Sequence, residues 1–213
     1  KRRSVVKEDD TIFLHAGINP LIAQLSIRGI NERVWLEIER FDQIMKYLVN
    51  KKMALDFFTL DELVVSVREE FGALQTEISE KTAAAAEKGK EYSPSGSEQD
   101  HIDVFESFLE IGQWLTVHPG GILWFRGYAQ WTDEEGQPQV EALLKEYDAR
   151  HFFVGHSPQQ GGHIRTRFGG RIFLADTGML SSFYKGGRAS AVEIVDGNFR
   201  AIKEVVHDGR IGE

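Results

Sequence analysis

The chain has 213 residues, no cysteine and a formal net charge of −8, from 25 Lys and Arg against 33 Asp and Glu. This length suits one large domain or one domain with an insertion, and the lack of cysteine excludes disulfides, thiolate metal sites and cysteine nucleophiles within it. The acidic balance argues against a general nucleic-acid binder, and no apolar run reaches the roughly 20 residues of a membrane span.

The first predicted element is a short apolar strand at residues 11–15 (TIFLH), which ends at a histidine. From residue 34 onward, apolar positions recur every three to four residues, which indicates a helix. A second helix is predicted to begin at Thr59, whose TLDE sequence is a capping box. Residues 20–115 are therefore predicted to form a helical insertion or cap, which contains a mobile loop at residues 81–99, rich in Gly, Ser and Pro.

The α/β pattern returns after the helical segment. Residues 122–125 (ILWF) are predicted to form a strand. Residues 132–137 are predicted to form a polar turn before a short helix that starts at Pro138. Further predicted strands lie at residues 152–154, 164–168 and 171–175, and in a hairpin at residues 190–195 and 199–206 that turns at Asp196-Gly197.

Two of the predicted strands end at a histidine, His15 in the first and His156 in the strand near residue 153. The sheets of α/β proteins place ligands and catalytic groups at the carboxyl ends of their strands. We therefore expect His15 and His156 to meet at one edge of one sheet. A histidine that closes a strand is also commonly a capped or surface residue, and a firm metal site needs further ligands.

Four motifs that occur in a fixed order carry a resemblance. They are residues 13–17 (FLHAG), 123–127 (LWFRG), 154–159 (VGHSPQ) and 176–179 (DTGM). Together they resemble the C-terminal half of a calcineurin-like metallophosphoesterase, in the phosphoprotein-phosphatase-like branch that includes the Shewanella-like phosphatases. The resemblance implies an α/β fold in which residues 1–19 and 116–213 form the C-terminal half of an αββα sandwich.

The resemblance also implies roles for single residues. His15 and His156 would bind one ion of a dinuclear metal pair, and Arg126 would contact the substrate phosphate. Ala16 replaces the glycine usual in the first motif, a small-for-small change. The implied cofactors are two divalent ions, manganese with iron or zinc as alternatives, which activate the water that attacks a phosphate monoester. The second ring nitrogen of each histidine should meet a carbonyl or carboxylate. Asp176 is a candidate to orient one histidine, or else a turn residue that caps its own backbone.

The chain lacks three motifs of the family, namely Asp-x-His, Gly-Asp-x-x-Asp-Arg-Gly and Gly-Asn-His-Glu. We therefore expect the catalytic acid and the other metal ligands upstream of Lys1, in an N-terminal half of the same domain that acts as this chain's partner. The predicted function is a phosphatase for phosphoproteins or small phosphate esters that is active only with that half.

Two alternatives stay open. One is a catalytically incomplete fragment that acts as an interaction module, and the other is a small-ligand-binding domain in which the helices of residues 20–115 are the functional part. No signal peptide is visible. A cytoplasmic protein without membrane or nucleic-acid partners is expected.

Overall fold

The computed structural model describes residues 2–180, 184, 186–203, 206–207 and 210–211. The chain divides into two compact units, one of residues 1–34 with 115–213 and the other of residues 35–114. The first unit contains a mixed β-sheet with helices, and the second is helical. The protein is thus of mixed α/β class, as predicted.

Within the described residues, one five-stranded sheet has the strand order β1-β2-β3-β5-β4. The three inner strands are parallel, and the two edge strands β1 and β4 pair antiparallel with their neighbours. The carboxyl ends of the inner strands therefore lie at the same edge. The strands are β1 (Val5–Glu8), β2 (Thr11–Leu14), β3 (His151–Val154), β4 (Arg165–Arg167) and β5 (Ile172–Leu174).

The C-terminal hairpin has its first strand and its turn where the sequence predicts them. Of the second strand predicted at residues 199–206, the part up to Lys203 is observed, and residues 204–205 lie outside the described residues. Its strands are β6 (Ser190–Val195) and β7 (Asn198–Lys203), and Asp196 and Gly197 form the turn with positive φ angles of 50° and 74°. A further short pair follows, β8 (Val206–His207) and β9 (Arg210–Ile211). Strand β1 is not predicted from the sequence, because its four residues are half polar and precede a tight turn.

Five α-helices lie in the described residues, together with 3-10 turns at Pro20–Ile22 and Glu110–Gln113. They are α1 (Ile27–Asn50), α2 (Leu60–Ala86), α3 (Gly96–Leu109), α4 (Gly127–Gln130) and α5 (Asp133–Glu146). No helix in the described part of the chain is both long and apolar enough to cross a lipid bilayer.

Three predicted elements are corrected by the structure. Residues 122–125 are not a strand but consecutive turns, in which the Trp124 and Phe125 amides both donate to the Gly121 carbonyl, at 3.0 and 2.9 Å. Residues 132–137 are not a turn, because Thr132 caps α5 through a capping box. Pro138 accordingly lies inside α5 rather than at its start.

The third correction concerns the segment predicted as a mobile loop at residues 81–99. Helix α2 continues to Ala86 and α3 begins at Gly96, so only residues 87–95 are irregular. The Lys81 ammonium bonds to Glu98 at 2.8 Å, within the helical unit. Four consecutive alanines at residues 83–86 favour extension of the helix, because alanine has the highest helix propensity.

One face of the sheet carries the apolar core of this unit. Val5, Ile12, Phe152 and Ile172 are each 0% exposed and pack in one apolar cluster with residues of α4 and α5. Ile30 and Val34 of α1 belong to the same cluster. Residues 20–34, which the sequence reading assigned to the helical insertion, therefore pack in the core of the sheet unit.

The other face of the sheet carries a row of apolar side chains in cross-strand register. Val6 pairs with Phe13, Phe13 with Phe153, and Phe153 with Phe173. Phe199 of the hairpin stacks on Phe173 with ring centroids 4.3 Å apart, and Phe173 is 8% exposed. The other three members of the row are only partly buried.

The helical unit has its own core. Leu63 and Val67 of α2 and Phe105 and Phe108 of α3 are each at most 1% exposed. The capping box predicted at Thr59 is present, and Ser95 forms a second one at the start of α3. These caps satisfy amide groups at the helix N-termini that have no partner within the helix.

Candidate active site

The two strand-end histidines lie together. Leu14 of β2 pairs in register with Val154 of β3, and the Gly155 amide donates to the His15 carbonyl at 2.8 Å. The parallel pairing thus continues one residue past each strand and brings the two rings side by side. Nε2 of His15 and Nδ1 of His156 are 3.0 Å apart. The prediction that both histidines meet at one sheet edge is confirmed.

The backbone of His156 has an uncommon conformation. Its φ of 63° is in the left-handed region, which costs a residue with a Cβ atom about 1–2 kcal/mol. The Ser157 amide donates to the Gly155 carbonyl at 2.7 Å across this turn. Nη1 of Arg126 donates to the His156 carbonyl at 3.0 Å and to Ser157 Oγ at 3.2 Å. The surrounding contacts therefore hold His156 in a conformation that is unfavourable in isolation.

The environment of His156 favours its neutral form. Burial lowers the pKa of the imidazole, electrostatic interactions with Arg126 and His15 lower it further, and Asp176 acts in the opposite direction. A neutral imidazole is the form that binds metal ions. The edge of the Trp124 ring system faces this imidazole, with ring centroids 5.4 Å apart and an interplanar angle of 89°.

The second nitrogen of the His156 ring corrects one expectation. Nε2 is buried and has no hydrogen-bond partner among the described residues, whereas a carbonyl or carboxylate was predicted there. A buried polar atom without a partner is uncommon in native structures and calls for a group that satisfies it. The histidine pair thus carries unused bonding capacity.

The geometry of the pair fits a shared metal ion. Two nitrogens that each lie about 2.1 Å from one ion are at most about 4.2 Å apart, and the observed separation is 3.0 Å. However, the described residues contain no group of three or more His, Asp or Glu side chains placed to hold an ion. Within the described residues, the two imidazoles alone fall short of the three or more protein ligands of a complete metal site.

Arg126 and Asp176 differ in how they relate to the pair. Arg126 contacts the turn at His156 directly, as described above, and its Nε and Nη2 groups have no partner among the described residues. Asp176 shares a pocket of about 660 Å³ with both histidines. Its Oδ1 accepts a hydrogen bond from the Gly178 amide at 3.0 Å, which is the turn-capping alternative. Its role in orienting a histidine stays a prediction.

The loop that follows His15 is anchored by a buried tyrosine. The Tyr128 hydroxyl donates to the Ile18 carbonyl at 3.0 Å and accepts from the Ile18 amide at 3.3 Å. A Cβ atom on Gly17 would lie 2.8 Å from the Phe125 ring. The small residues after His15 thus let the loop pack closely against the segment that contains Arg126.

Sequence reasoning identified the two histidines and Arg126 but missed Trp124 and Tyr128. Trp124 was assigned to a strand, and nothing in its spacing indicates contact with His156. Tyr128 follows Arg126 by two positions, yet its bond to Ile18 joins residues 110 positions apart. Contacts at such separation leave no local sequence signal.

No family model matches the chain. It is 23% identical over 206 residues to Shewanella-like protein phosphatase 1 of Plasmodium berghei, which covers 95% of this chain and 40% of that protein. It is 34% identical over 91 residues to an uncharacterised protein of Schizosaccharomyces pombe, which covers 43% of this chain and 26% of that protein. The chain thus spans between a quarter and two fifths of the length of these relatives.

Solved structures of a cold-active protein tyrosine phosphatase give weaker likenesses. One covers 100% of this chain and 44% of the other, with 12% identity and a TM-score of 0.46. Another, from a psychrophilic Shewanella species, covers 95% and 43%, with 13% identity and a TM-score of 0.46. Likenesses at this level carry no conclusion about the fold. The similarity in sequence to a phosphatase along almost the whole chain supports a phosphatase family.

Proposed function

We propose that this chain forms part of the active site of a metal-dependent phosphatase that hydrolyses phosphate monoesters. The observation that carries the proposal is the 3.0 Å contact between Nε2 of His15 and Nδ1 of His156 at one sheet edge. Similarity to a protein phosphatase over 95% of the chain supports it. Phosphorylated Ser or Thr in a protein is the substrate class that we favour.

In this proposal His15 and His156 hold one of two divalent ions, manganese with iron or zinc as alternatives. When bound, such a pair lowers the pKa of a coordinated water and polarises the phosphoryl oxygens. The lowered pKa of His156 keeps its imidazole neutral and available as a ligand. The left-handed turn at His156, fixed by Arg126 and Ser157, keeps the ring in place before the ion binds.

Arg126 is proposed to bind the substrate phosphate. Two of its five N–H donors point to the turn after β3, which fixes the guanidinium beside His156. The remaining donors are available for phosphoryl oxygens, and the planar fork of arginine matches two of them. A donor held in this way stabilises charge on the phosphoryl group without reorganising during the reaction.

The remaining ligands are proposed to come from polypeptide outside these 213 residues, as an N-terminal half of the same domain. Two observations support this. The described residues supply only two imidazoles to the site. In addition, Val6, Phe13 and Phe153 leave the second sheet face partly open, and a sheet face of this kind normally packs on another layer. The same missing ligands favour the alternative, a catalytically incomplete fragment that acts as an interaction or ligand-binding module.

The test uses the product of the whole reading frame that contains this chain, purified with Mn²⁺ and assayed on 4-nitrophenyl phosphate. His156→Asn is the informative variant, because asparagine tolerates the left-handed backbone that alanine does not. We expect this variant to lose metal and to lower turnover more than about 100-fold. The reason is that mutation of a residue that only hydrogen-bonds to a metal ligand already lowers metal affinity or activity about 10- to 100-fold. Arg126→Gln removes both the phosphate contact and a support of the His156 turn. It should lose about 100-fold in turnover and bind metal more weakly, but retain more metal than His156→Asn.

The matched control is His118→Ala. His118 is exposed, and its Nδ1 accepts only from the Gly120 amide at 2.9 Å among the described contacts. This variant should retain full activity and metal content. A whole protein that binds no metal and hydrolyses no phosphate ester would overturn the phosphatase proposal and favour the interaction module. Normal turnover and metal content in His156→Asn would instead refute the proposed role of His156.

A further inference from the structure

A second pocket is lined by Arg126 but by neither His15 nor His156. Its volume is about 690 Å³, and it is lined by Arg126, by residues 157–160 after β3 and by residues 163–166 at the start of β4. This volume is within the about 300–1,000 Å³ typical of small-ligand sites. The pocket begins one residue after His156 and so adjoins the proposed phosphate position.

The pocket is cationic, although the chain carries a net charge of −8. Arg126 and Arg165 line it, and no Asp or Glu is among its described lining residues. Neither arginine forms an ion pair with a described residue, whereas Arg167 on the same strand pairs with Asp133 at 2.7 Å. Arg167 also donates to two carbonyls of the α4 segment. Arg167 is thus engaged in the fold, whereas Arg165 is exposed and available to a ligand.

The register of the sheet gives the approximate distance between Arg165 and the strand that leads to His156. Arg165 is level with Leu174 of β5, Leu174 with Val154 of β3, and Val154 with Leu14 of β2. Arg165 therefore lies at the edge where the strands leading to His15 and His156 end. It is two strands away from β3, which corresponds to about 10 Å at about 4.8 Å per strand. An extended peptide covers that distance in about three residues at about 3.3 Å each.

From this placement we propose that the pocket beside Arg126 binds an acidic side chain of a phosphopeptide substrate, about three residues from the phosphorylated residue, with Arg165 as the residue that recognises it. The inference rests on the proposed phosphatase function and adds substrate selectivity to it. A carboxylate at Arg165 gains a charge-assisted hydrogen bond that this arginine lacks within the described residues, while Arg126 binds the phosphate. Nearby amide and hydroxyl groups of Gln159, Gln160 and Thr166 line the same pocket.

The experiment measures kcat/KM of the whole protein on three phosphoserine heptapeptides, with Glu three positions before the phosphoserine, with Glu three positions after it, or with Ala at both places. We expect one acidic peptide to be preferred over the neutral peptide by about three- to tenfold, the range of one partly exposed charged contact. Arg165→Gln should remove this preference, and Arg165→Lys should keep part of it. Both should hydrolyse 4-nitrophenyl phosphate at the normal rate, because that substrate does not reach the pocket.

Arg28→Gln is the charge-matched control, since Arg28 is exposed on α1 and pairs only with Glu32 among the described residues. It should leave the peptide preference unchanged. Equal rates on all three peptides, or a preference that survives Arg165→Gln, would overturn the subsite while leaving the phosphatase proposal intact.

If the whole protein hydrolyses no phosphate ester, the proposed function fails instead. Fluorescence anisotropy of the same peptides, carrying a fluorescent label, then tests whether the pocket binds an acidic side chain. Tighter binding of one acidic peptide that Arg165→Gln abolishes would support the pocket, and equal binding of all three would reject it.

Discussion

Replacement of Tyr128 by Phe tests how the loop after His15 is held. Tyr128 is 1% exposed, and its hydroxyl satisfies both the amide and the carbonyl of Ile18, which is 0% exposed. Burial raises the pKa of this phenol, so the hydroxyl keeps its proton throughout the usable pH range. The variant deletes one oxygen and leaves a buried N–H and a buried C=O without partners.

The expected cost follows from those two groups. Each buried polar group that loses its partner costs about 1–3 kcal/mol, and removal of the hydroxyl from an apolar site returns part of this. We expect a net loss of about 2–3 kcal/mol in the free energy of unfolding, which raises the unfolding equilibrium constant roughly 30- to 150-fold. Urea unfolding followed by circular dichroism measures this loss. The midpoint urea concentration should fall, and the dependence of the free energy of unfolding on urea concentration should stay unchanged.

Tyr147→Phe is the matched control. The Tyr147 hydroxyl donates to the Leu25 carbonyl at 3.0 Å, and Leu25 is only partly buried, so water can replace the lost donor. This variant removes no partner of a buried amide and should cost about 1 kcal/mol. If Tyr128→Phe unfolds within about 0.5 kcal/mol of the wild type, or costs less than Tyr147→Phe, then the bonds to Ile18 do not hold the loop.

Further predictions concern packing, pH and proteolysis. Gly17→Ala should destabilise the fold by about 1–3 kcal/mol, because the added Cβ would lie 2.8 Å from the Phe125 ring. Gly72→Ala is the control, since its Cβ has no neighbour within 4 Å. It should stabilise α2 by up to about 1 kcal/mol in the same urea assay. The hydrogen bond from Arg150 lowers the pKa of Asp10, so the stabilisation that the Asp10 carboxylate contributes is present above about pH 4 and disappears as the pH falls further. Asp10→Asn should therefore have the same free energy of unfolding as the wild type only in acid. An equal difference in the free energy of unfolding at all pH values would contradict this. Trypsin should cleave first near Lys88, in the irregular segment between α2 and α3, and first cuts within the helices, read by mass spectrometry, would argue against an accessible segment.

The strands that end at histidines were predictable because their signals are local. An apolar run of three or four residues bounded by Gly or Pro indicates a buried strand at 152–154 without knowledge of its neighbours. The same rule failed at residues 122–125, which are equally apolar. There a Cβ on Gly121 would lie 2.0 Å from the Leu115 carbonyl oxygen, so the chain packs as a compact turn that only glycine permits. That constraint depends on a tertiary contact and is not visible in the apolar pattern.

Some helix boundaries were likewise predictable from local sequence, whereas others depend on tertiary contacts. The sequence around Thr59 predicts a capping box, and the structure has it. Pro138 predicts a later start for α5, whereas in the structure this helix begins after a capping box at Thr132. The start of the helical unit was not predictable, because α1 runs continuously from Ile27 to Asn50 while its first turns pack on the sheet. A helical period does not show which layer each turn of a long helix contacts.

At the site, residue types were predictable and the contacts that position them were not. His15 and His156 meet because parallel pairing brings strand ends together, which is a general consequence of sheet topology. The left-handed φ of His156 has no clear signal in the sequence, because only a small minority of non-glycine residues adopt that region. Arg126 supports that conformation through the His156 carbonyl, and the two residues are separated by 30 positions.

Two features occur in the same part of the molecule, and the N-terminal half proposed above would account for both. The histidine pair comprises two imidazoles, one of which has a buried Nε2 without a partner among the described residues. Phe13 and Phe153, which precede these histidines on β2 and β3, belong to the partly open apolar row of the sheet. A layer that packs on this row by the hydrophobic effect ends at the same sheet edge and can bring carboxylates to the imidazoles. Packing and coordination would then be completed by one association, so the affinity for the metal and the stability of the sheet unit should rise together.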